Sequence, residues 1–202
     1  GQITGKPLEV IVTHMHPDHA GCIKYFDKVW MHRADTVLVP QHAADYQGEF
    51  LYMEEGQVFD LGGRKLEVAW MPGHTPGSVV LLDKANGDCY SGDAFGSGEV
   101  WLQCVPMSPI ATFHESCCRM EKLMKEGHIK DIWCGHYPYL KSSLPLAYIQ
   151  TMIRISHRLM NGDQEGSEPY SNYFIKMPPT ARKLAEGRAM IVYDSTNIPE
   201  AR

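Results

Sequence analysis

This sequence predicts an α/β fold in a single domain, 1–202, and three features carry the prediction. A β-branched run, Leu8-Glu9-Val10-Ile11-Val12, ends in a cluster of histidines. From Gln57 to Asp93, short apolar stretches alternate with glycine and asparagine turns. Two later segments, 111–127 and 143–160, carry apolar residues at helical spacing. The 202 residues are 44% hydrophobic, enough to bury one sizeable core. A net charge of −5 offers no basic footprint for nucleic acid or for an anionic membrane. No apolar run approaches the length of a membrane span. The expected partner is therefore a small molecule.

The elements follow in order. Leu8 to Val12 reads as a buried strand, Ala20 to Phe26 as a short helix, and Lys28 to His32 as a second strand with Val29 and Met31 on one face. Arg33 to Val39 is a helical turn closed by Pro40. Gln41 to Glu55, polar and aromatic without a period, reads as a loop or irregular helix. Val58 to Leu61 and Lys65 to Trp70 are antiparallel strands joined at Gly62-Gly63, with Leu66, Val68 and Trp70 on one face. Ser78 to Asp83 and Asp88 to Ser91 form a hairpin turned by Asn86-Gly87. Residues 94–110, with their glycines and prolines, wall a pocket mouth. A helix from Ala111 stops at Gly127, and Ile129 to Cys134 is the next strand. Ser143 caps a helix that runs to Met160. Asp163 to Asn172 is a polar linker, Lys183 to Gly187 a short helix, and Ala189 to Tyr193 a last strand. The stretch 141–202 is a helical and C-terminal extension.

The chemistry centres on Thr13-His14-Met15-His16-Pro17-Asp18-His19. Clustered imidazoles and a carboxylate are too costly to bury as plain packing. At an extended strand tip, residues two apart point the same way, so His14 and His16 can share one metal ion. The chain turns at Pro17 and presents Asp18 and His19 towards a second ion. A surface His-rich loop or a tag remnant does not come with an interposed aspartate after a strand.

Three more motifs follow downstream: Pro72-Gly73-His74-Thr75-Pro76-Gly77, Ser91-Gly92-Asp93 and Gly135-His136. With His14-x-His16-x-Asp18-His19, in this order and spacing, the chain up to about His136 resembles the metallo-β-lactamase-fold hydrolases, most of all the glyoxalase II-like and uncharacterised members. The resemblance implies a four-layer αβ/βα sandwich. It implies that His14, His16 and His74 hold one divalent metal ion, that Asp18, His19 and His136 hold a second, and that Asp93 bridges them. Zinc is the expected metal, with iron or manganese as alternatives, because imidazoles and carboxylates suit all three. Ions in such sites sit roughly 3.5–4 Å apart and lower the pKa of a bridging water to about 7. The implied reaction is hydrolysis of an ester, thioester, lactone or lactam by metal-bound hydroxide, with Asp18 and Asp93 as the catalytic carboxylates. A mononuclear iron persulfide dioxygenase on the same fold is an alternative. It has no need of Asp18, His19 and His136. A phosphodiesterase is another, disfavoured by the charge. A module with a vestigial site would lack a ligand, and none is missing.

Substrate contacts are expected from His42, Phe95, Trp101 and Tyr137, and the aromatic residues among them suit an apolar acyl or aryl group. His114 and His157 lack any such context. The cysteines Cys22, Cys89, Cys104, Cys117, Cys118 and Cys134 show no disulfide or zinc-ribbon spacing. That pattern points to a reducing, cytoplasmic compartment, although an upstream signal would be invisible. Relatives of this fold carry strands before the His-x-His motif, and here thirteen residues precede His14. Gly1 to Gly5 looks like the tail of a missing helix. The expectation is a sandwich lacking its N-terminal strands, whose exposed edge leaves two outcomes: association with another copy or another chain that supplies those strands, or poor folding.

Overall fold

In the computed structural model, which describes residues 5–173 and 176–199 and of Pro138 and Tyr139 only the backbone, four layers stack on one another. Strand β1 (Lys28–His32) pairs in parallel with β2 (Glu49–Met53) to form a small sheet. Next come β3 (Val58–Asp60), β4 (Lys65–Trp70), β5 (Val79–Asp83) and β6 (Asp88–Gly92), each antiparallel to the one before. Strand β7 (Glu99–Trp101) leaves this sheet, while β8 (Asp131–Cys134) adds to β6 in parallel. The remaining strands, β9 (Glu168–Pro169), β10 (Ala181–Glu186) and β11 (Ala189–Asp194), form a sheet with β7 in the order β7-β11-β10-β9.

Three apolar clusters lie between the layers. Val29 and Met31 point from β1 towards Ala20, Ile23 and Leu38 of the short helical turns. Trp30, on the opposite face, packs with Phe59, Val68, Val79 and Leu81 between the two sheets. Ala69, Val80, Leu82 and Cys89 face the two long helices. These are α3 (Ile110–Lys125), with Phe113, Cys117 and Met120 inward, and α5 (Leu146–Met160), with Ile149, Met152 and Ile155 inward. The period-2 faces of these strands thus become the layering, because the β1-β2 sheet and the β3-β4-β5-β6-β8 sheet carry apolar residues on both faces. Trp70 is 40% exposed while Ala69 is buried, so β4 is apolar on the helix side as well.

Several elements differ from the sequence expectation. Leu8 to Val12 is bonded along one edge only, Trp30 N–H to Val10 O and Val12 N–H to Trp30 O, and makes a single bridge at Ile11 rather than a full strand. The predicted helix after His19 splits into α1 (Pro17–Ala20) and a 3₁₀ turn at Ile23–Tyr25. The Gln41–Glu55 stretch contains α2 (Val39–His42) at its start and β2 near its end; β2 shows no clear alternation because most of it is half-buried. Lys183 to Glu186 is strand, not helix. Lys, Leu, Ala and Glu favour helices, but pairing with β11 across the turn at Gly187 (φ 61°) overrides that propensity. Ser143 donates to Asp131 Oδ1 at 2.5 Å instead of capping, and α5 starts behind Pro145. The polar linker carries β9. Residues 1–4 of the expected helix tail lie outside the described residues. All six cysteines are free thiols, and Cys118 is exposed on α3 while its neighbour Cys117 is buried. No helix among the described residues is long and apolar enough to cross a membrane.

Candidate metal centre

Four loops meet at one edge of the stacked sheets. The first follows the Leu8–Val12 run and carries His14, His16, Asp18 and His19. The second, between β4 and β5, carries His74. The third follows β6 with Asp93, and the fourth follows β8 and ends on His136, just ahead of α4 (Tyr137–Leu140). Parallel pairing of β6 with β8 sends both of their C-terminal ends to the same edge, which brings Asp93 and His136 together. Glycine makes the approach feasible. A Cβ on Gly135 would stand 2.5 Å from His19 Cε1 and 2.8 Å from Asp93 Oδ1, and one on Gly92 (φ 49°) would collide with the Thr13 hydroxyl.

The side chains fall into two groups, His14–His16–His74 and Asp18–His19–Asp93–His136; within each, one ligand atom per residue lies within 4.8 Å of the others. In the first group, His74 Nδ1 donates to the carbonyl of Trp101 at 2.7 Å. A carbonyl can only accept, so this bond fixes the tautomer and leaves the Nε2 lone pair facing the group. His16 Nδ1 lies 2.9 Å from that Nε2. His14 Nε2 is buried and unpartnered, while its Nδ1 lies 3.3 Å from Thr13 Oγ1. Burial, followed by the neighbouring His74, lowers the pKa of His14 well below the ordinary histidine value and that of His16 to about 3. Burial also lowers His74, against the pull of Asp93. At neutral pH these rings are uncharged and offer lone pairs.

In the second group, Asp93 Oδ2 lies 3.0 Å from His136 Nε2, 3.4 Å from His19 Nε2 and 4.0 Å from His74 Nε2. It is the one carboxylate that reaches both groups among the described residues. Asp18 Oδ2 stands 3.4 Å from His136 Nε2 and 3.6 Å from His19 Nε2. Burial by itself would raise the Asp93 pKa, but the hydrogen bond from His136 and the closeness of the His19 ring hold it well below the usual carboxylate range. Reciprocally, the bond to Asp93 raises His136. His19 Nε2 and Asp93 Oδ1 are buried without a hydrogen-bond partner. Buried polar atoms are rarely left so. Together with His14 Nε2, these orphaned atoms fit a site for cations, and a donor set of imidazole and carboxylate suits divalent metals.

The expected substrate contacts scatter. Phe95 is a correction: its side chain is fully buried in the helix-side core, and its carbonyl accepts from Tyr148 Oη at 2.7 Å. Trp101 reaches the site through its backbone, and its indole donates to Glu99 Oε1 at 3.0 Å. His42 is half-buried with its ring 5.8 Å from that of His16. Tyr137 is 42% exposed, next to His136. His114 is engaged on the helices, its Nδ1 on Ser156 Oγ at 2.9 Å and its Nε2 3.5 Å from Cys118 Sγ. Two residues near the site escape sequence reading. The half-buried Cys104 has its thiol pushed up to about 11 by burial and then by the carboxylates of Asp18 and Asp93. Buried Asp35 lies behind the first two loops. A lone cysteine in a Pro-rich stretch and an aspartate in a helical turn carry no signal in sequence.

A sandwich of this layering with histidine and aspartate loops at one edge defines a metal-binding α/β class. The sequence profile described as the metallo-beta-lactamase superfamily matches residues 5–114, and this chain belongs to that superfamily. Among characterised relatives, the acyl-coenzyme A thioesterase MBLAC2 of Homo sapiens is 28% identical over 159 residues, covering 65% of this chain and 57% of that protein. A hydroxyacylglutathione hydrolase of Rhodopseudomonas palustris is 28% identical over 149 residues, covering 70% of this chain and 52% of its own. The chain thus spans little more than half the length of these relatives. TTHA1623, solved in a di-iron-bound form, superposes with a TM-score of 0.54 at 26% identity, covering 70% of this chain and 74% of that one. The family protein TTHA1429 from Thermus thermophilus shares the fold at TM-score 0.57 and 17% identity, over 79% of this chain and 65% of its own.

Proposed function

We propose that this protein is a dinuclear metal-dependent hydrolase acting on a thioester, within the wider class of esters, lactones and lactams. The observation that carries the reading is the convergence of two metal-competent groups on one shared carboxylate, Asp93. His14, His16 and His74 would hold one ion, and Asp18, His19 and His136 the other. When bound, two divalent ions of this kind supply a Lewis acid for the carbonyl oxygen and a nucleophilic water with its pKa lowered to about 7. The chain's own contribution is preparation. It keeps three imidazoles neutral by burial, locks His74 by the Trp101 carbonyl, and holds the Asp93 carboxylate ionised between His136 and His19. The similarity to an acyl-coenzyme A thioesterase and to hydroxyacylglutathione hydrolases supports a thioester substrate. The second group argues against a mononuclear oxygenase, and the net charge of −5 against a nucleic-acid phosphodiester. Zinc is the proposed metal; the di-iron relative makes iron the first alternative.

A panel of acyl-coenzyme A and acyl-glutathione thioesters, lactones, β-lactams and phosphodiesters, run on zinc-loaded and iron-loaded protein, tests this. Thioester turnover should lead. Preference for a phosphodiester, or oxygen uptake with a persulfide and no hydrolysis, would overturn the reading. His42 is proposed to face substrate. His42→Ala should raise KM while leaving kcat near its original value. A fall in kcat accompanied by metal loss would instead make it part of the metal-holding set.

A further inference from the structure

We propose that Asp35 is the positioning residue that sets the His14–His16 loop and the His74 loop at metal-binding separation. This inference rests on reading the two loops as a metal centre. Asp35 follows β1, in the 3₁₀ turn Arg33–Leu38, and is 1% exposed. Its Oδ2 accepts from Met15 N–H at 2.9 Å and from Thr75 Oγ1 at 3.0 Å. Its Oδ1 accepts from Gly77 N–H at 2.6 Å. Met15 lies between His14 and His16, and Thr75 directly follows His74. One carboxylate therefore ties together the two chain segments whose rings must meet, although they are some sixty residues apart: His16 Nδ1 and His74 Nε2 end up 2.9 Å apart.

The chemistry of the clamp is specific. Two of the three donors are backbone N–H groups, one on each oxygen, and neither can reverse its direction. Only a group that accepts at both ends serves both. Among the described residues Asp35 forms no salt bridge with a lysine or arginine, so a costly buried carboxylate is kept for its hydrogen bonds alone. The second loop is shaped to it. A Cβ on Gly77 would stand 2.6 Å from Asp35 N and 2.7 Å from its carboxyl carbon, so residue 77 is glycine because the carboxylate is there. The Thr75 hydroxyl is held in turn by Ser78 Oγ at 2.8 Å, which aims its proton at Asp35.

Asp35→Asn keeps the size but turns one oxygen into an N–H donor, which must then oppose the N–H of either Met15 or Gly77. Zinc affinity of the full chain, measured by competition with a chromophoric chelator, is the readout, alongside the melting midpoint of the metal-free protein. Groups that orient ligands from behind typically change metal affinity about 10–100-fold when mutated, and a loss of that size is expected for the first ion in Asp35→Asn. Thr75→Val, which removes one of the three bonds, should show a smaller loss and serves as the deciding variant if Asp35→Asn does not fold. Unchanged zinc affinity in the folded variant, whatever happens to the metal-free melting point, would overturn the proposal and leave the metal centre standing. Failure of the wild-type chain to bind zinc would overturn both.

Discussion

Replacing Asp93 with alanine is expected to lower thioester hydrolysis by at least about 100-fold, the upper end of what an orienting residue alone costs. The reason is position. Its Oδ2 lies 3.0 Å from His136, 3.4 Å from His19 and 4.0 Å from His74, so a single truncation empties the place where both groups meet. The same change removes the acceptor that raises the His136 pKa, and the His136 ring loses its fixed direction as well. Metal content, measured by elemental analysis after saturation, should fall with the rate. His114→Ala is the matched control. Its ring is engaged by Ser156 and Cys118 on the helices, so both metal content and rate should stay close to those of the parent. Hydrolysis that persists in Asp93→Ala with two ions still bound would sink the bridging assignment.

Metal removal is expected to have the second large effect, on stability. Without cations, His14 Nε2, His19 Nε2 and Asp93 Oδ1 stay buried without partners, and three rings press together with their lone pairs converging. An ion that binds only the folded state at roughly a thousandfold excess over its Kd adds about 4 kcal/mol. For a chain of this size each kcal/mol moves the melting midpoint by roughly 2–4 °C. Chelation should therefore lower Tm by roughly 8–16 °C, and readdition of zinc should restore it with about two ions per chain. A melting curve indifferent to chelator would speak against preformed cation sites. Saturation at one ion would favour the mononuclear oxygenase instead.

Much of the candidate centre can be read in the sequence because the residues the fold brings together come in short motifs. His14 and His16 stand two apart at a strand tip, and His74, Asp93 and His136 each follow a strand that the burial pattern reveals. Asp35 cannot be read the same way. Its partners are Met15, Thr75 and Gly77, and nothing local links position 35 to either loop before the layers stack. Phe95 is misleading for a related reason. Two residues past Asp93 it stands close in sequence to the site, but the chain has already turned and sends the ring into the core. In β10 the local preference of Arg-Lys-Leu-Ala-Glu is for helix, and only the hairpin partner decides otherwise. Half-burial hides β2, because it blurs the alternation that marks a strand with one wet face.

The carbonyl that fixes the His74 tautomer belongs to Trp101, and Trp101 is held in place from far down the chain. Strand β7 aligns in parallel with β11, Val192 opposite Trp101, and Leu102 N–H closes the register on Val192 O at 2.8 Å. The hairpin of β10 and β11 contains none of the motif histidines or aspartates, yet it is the foundation on which one imidazole is oriented. The sequence that serves the proposed centre therefore does not stop at the last of its histidine and aspartate motifs. The peptide between Trp101 and Leu102 points its N–H at Val192 and therefore its carbonyl the other way, at His74, so loosening the pairing of β7 with β11 would free the acceptor that decides which nitrogen of the ring carries the proton.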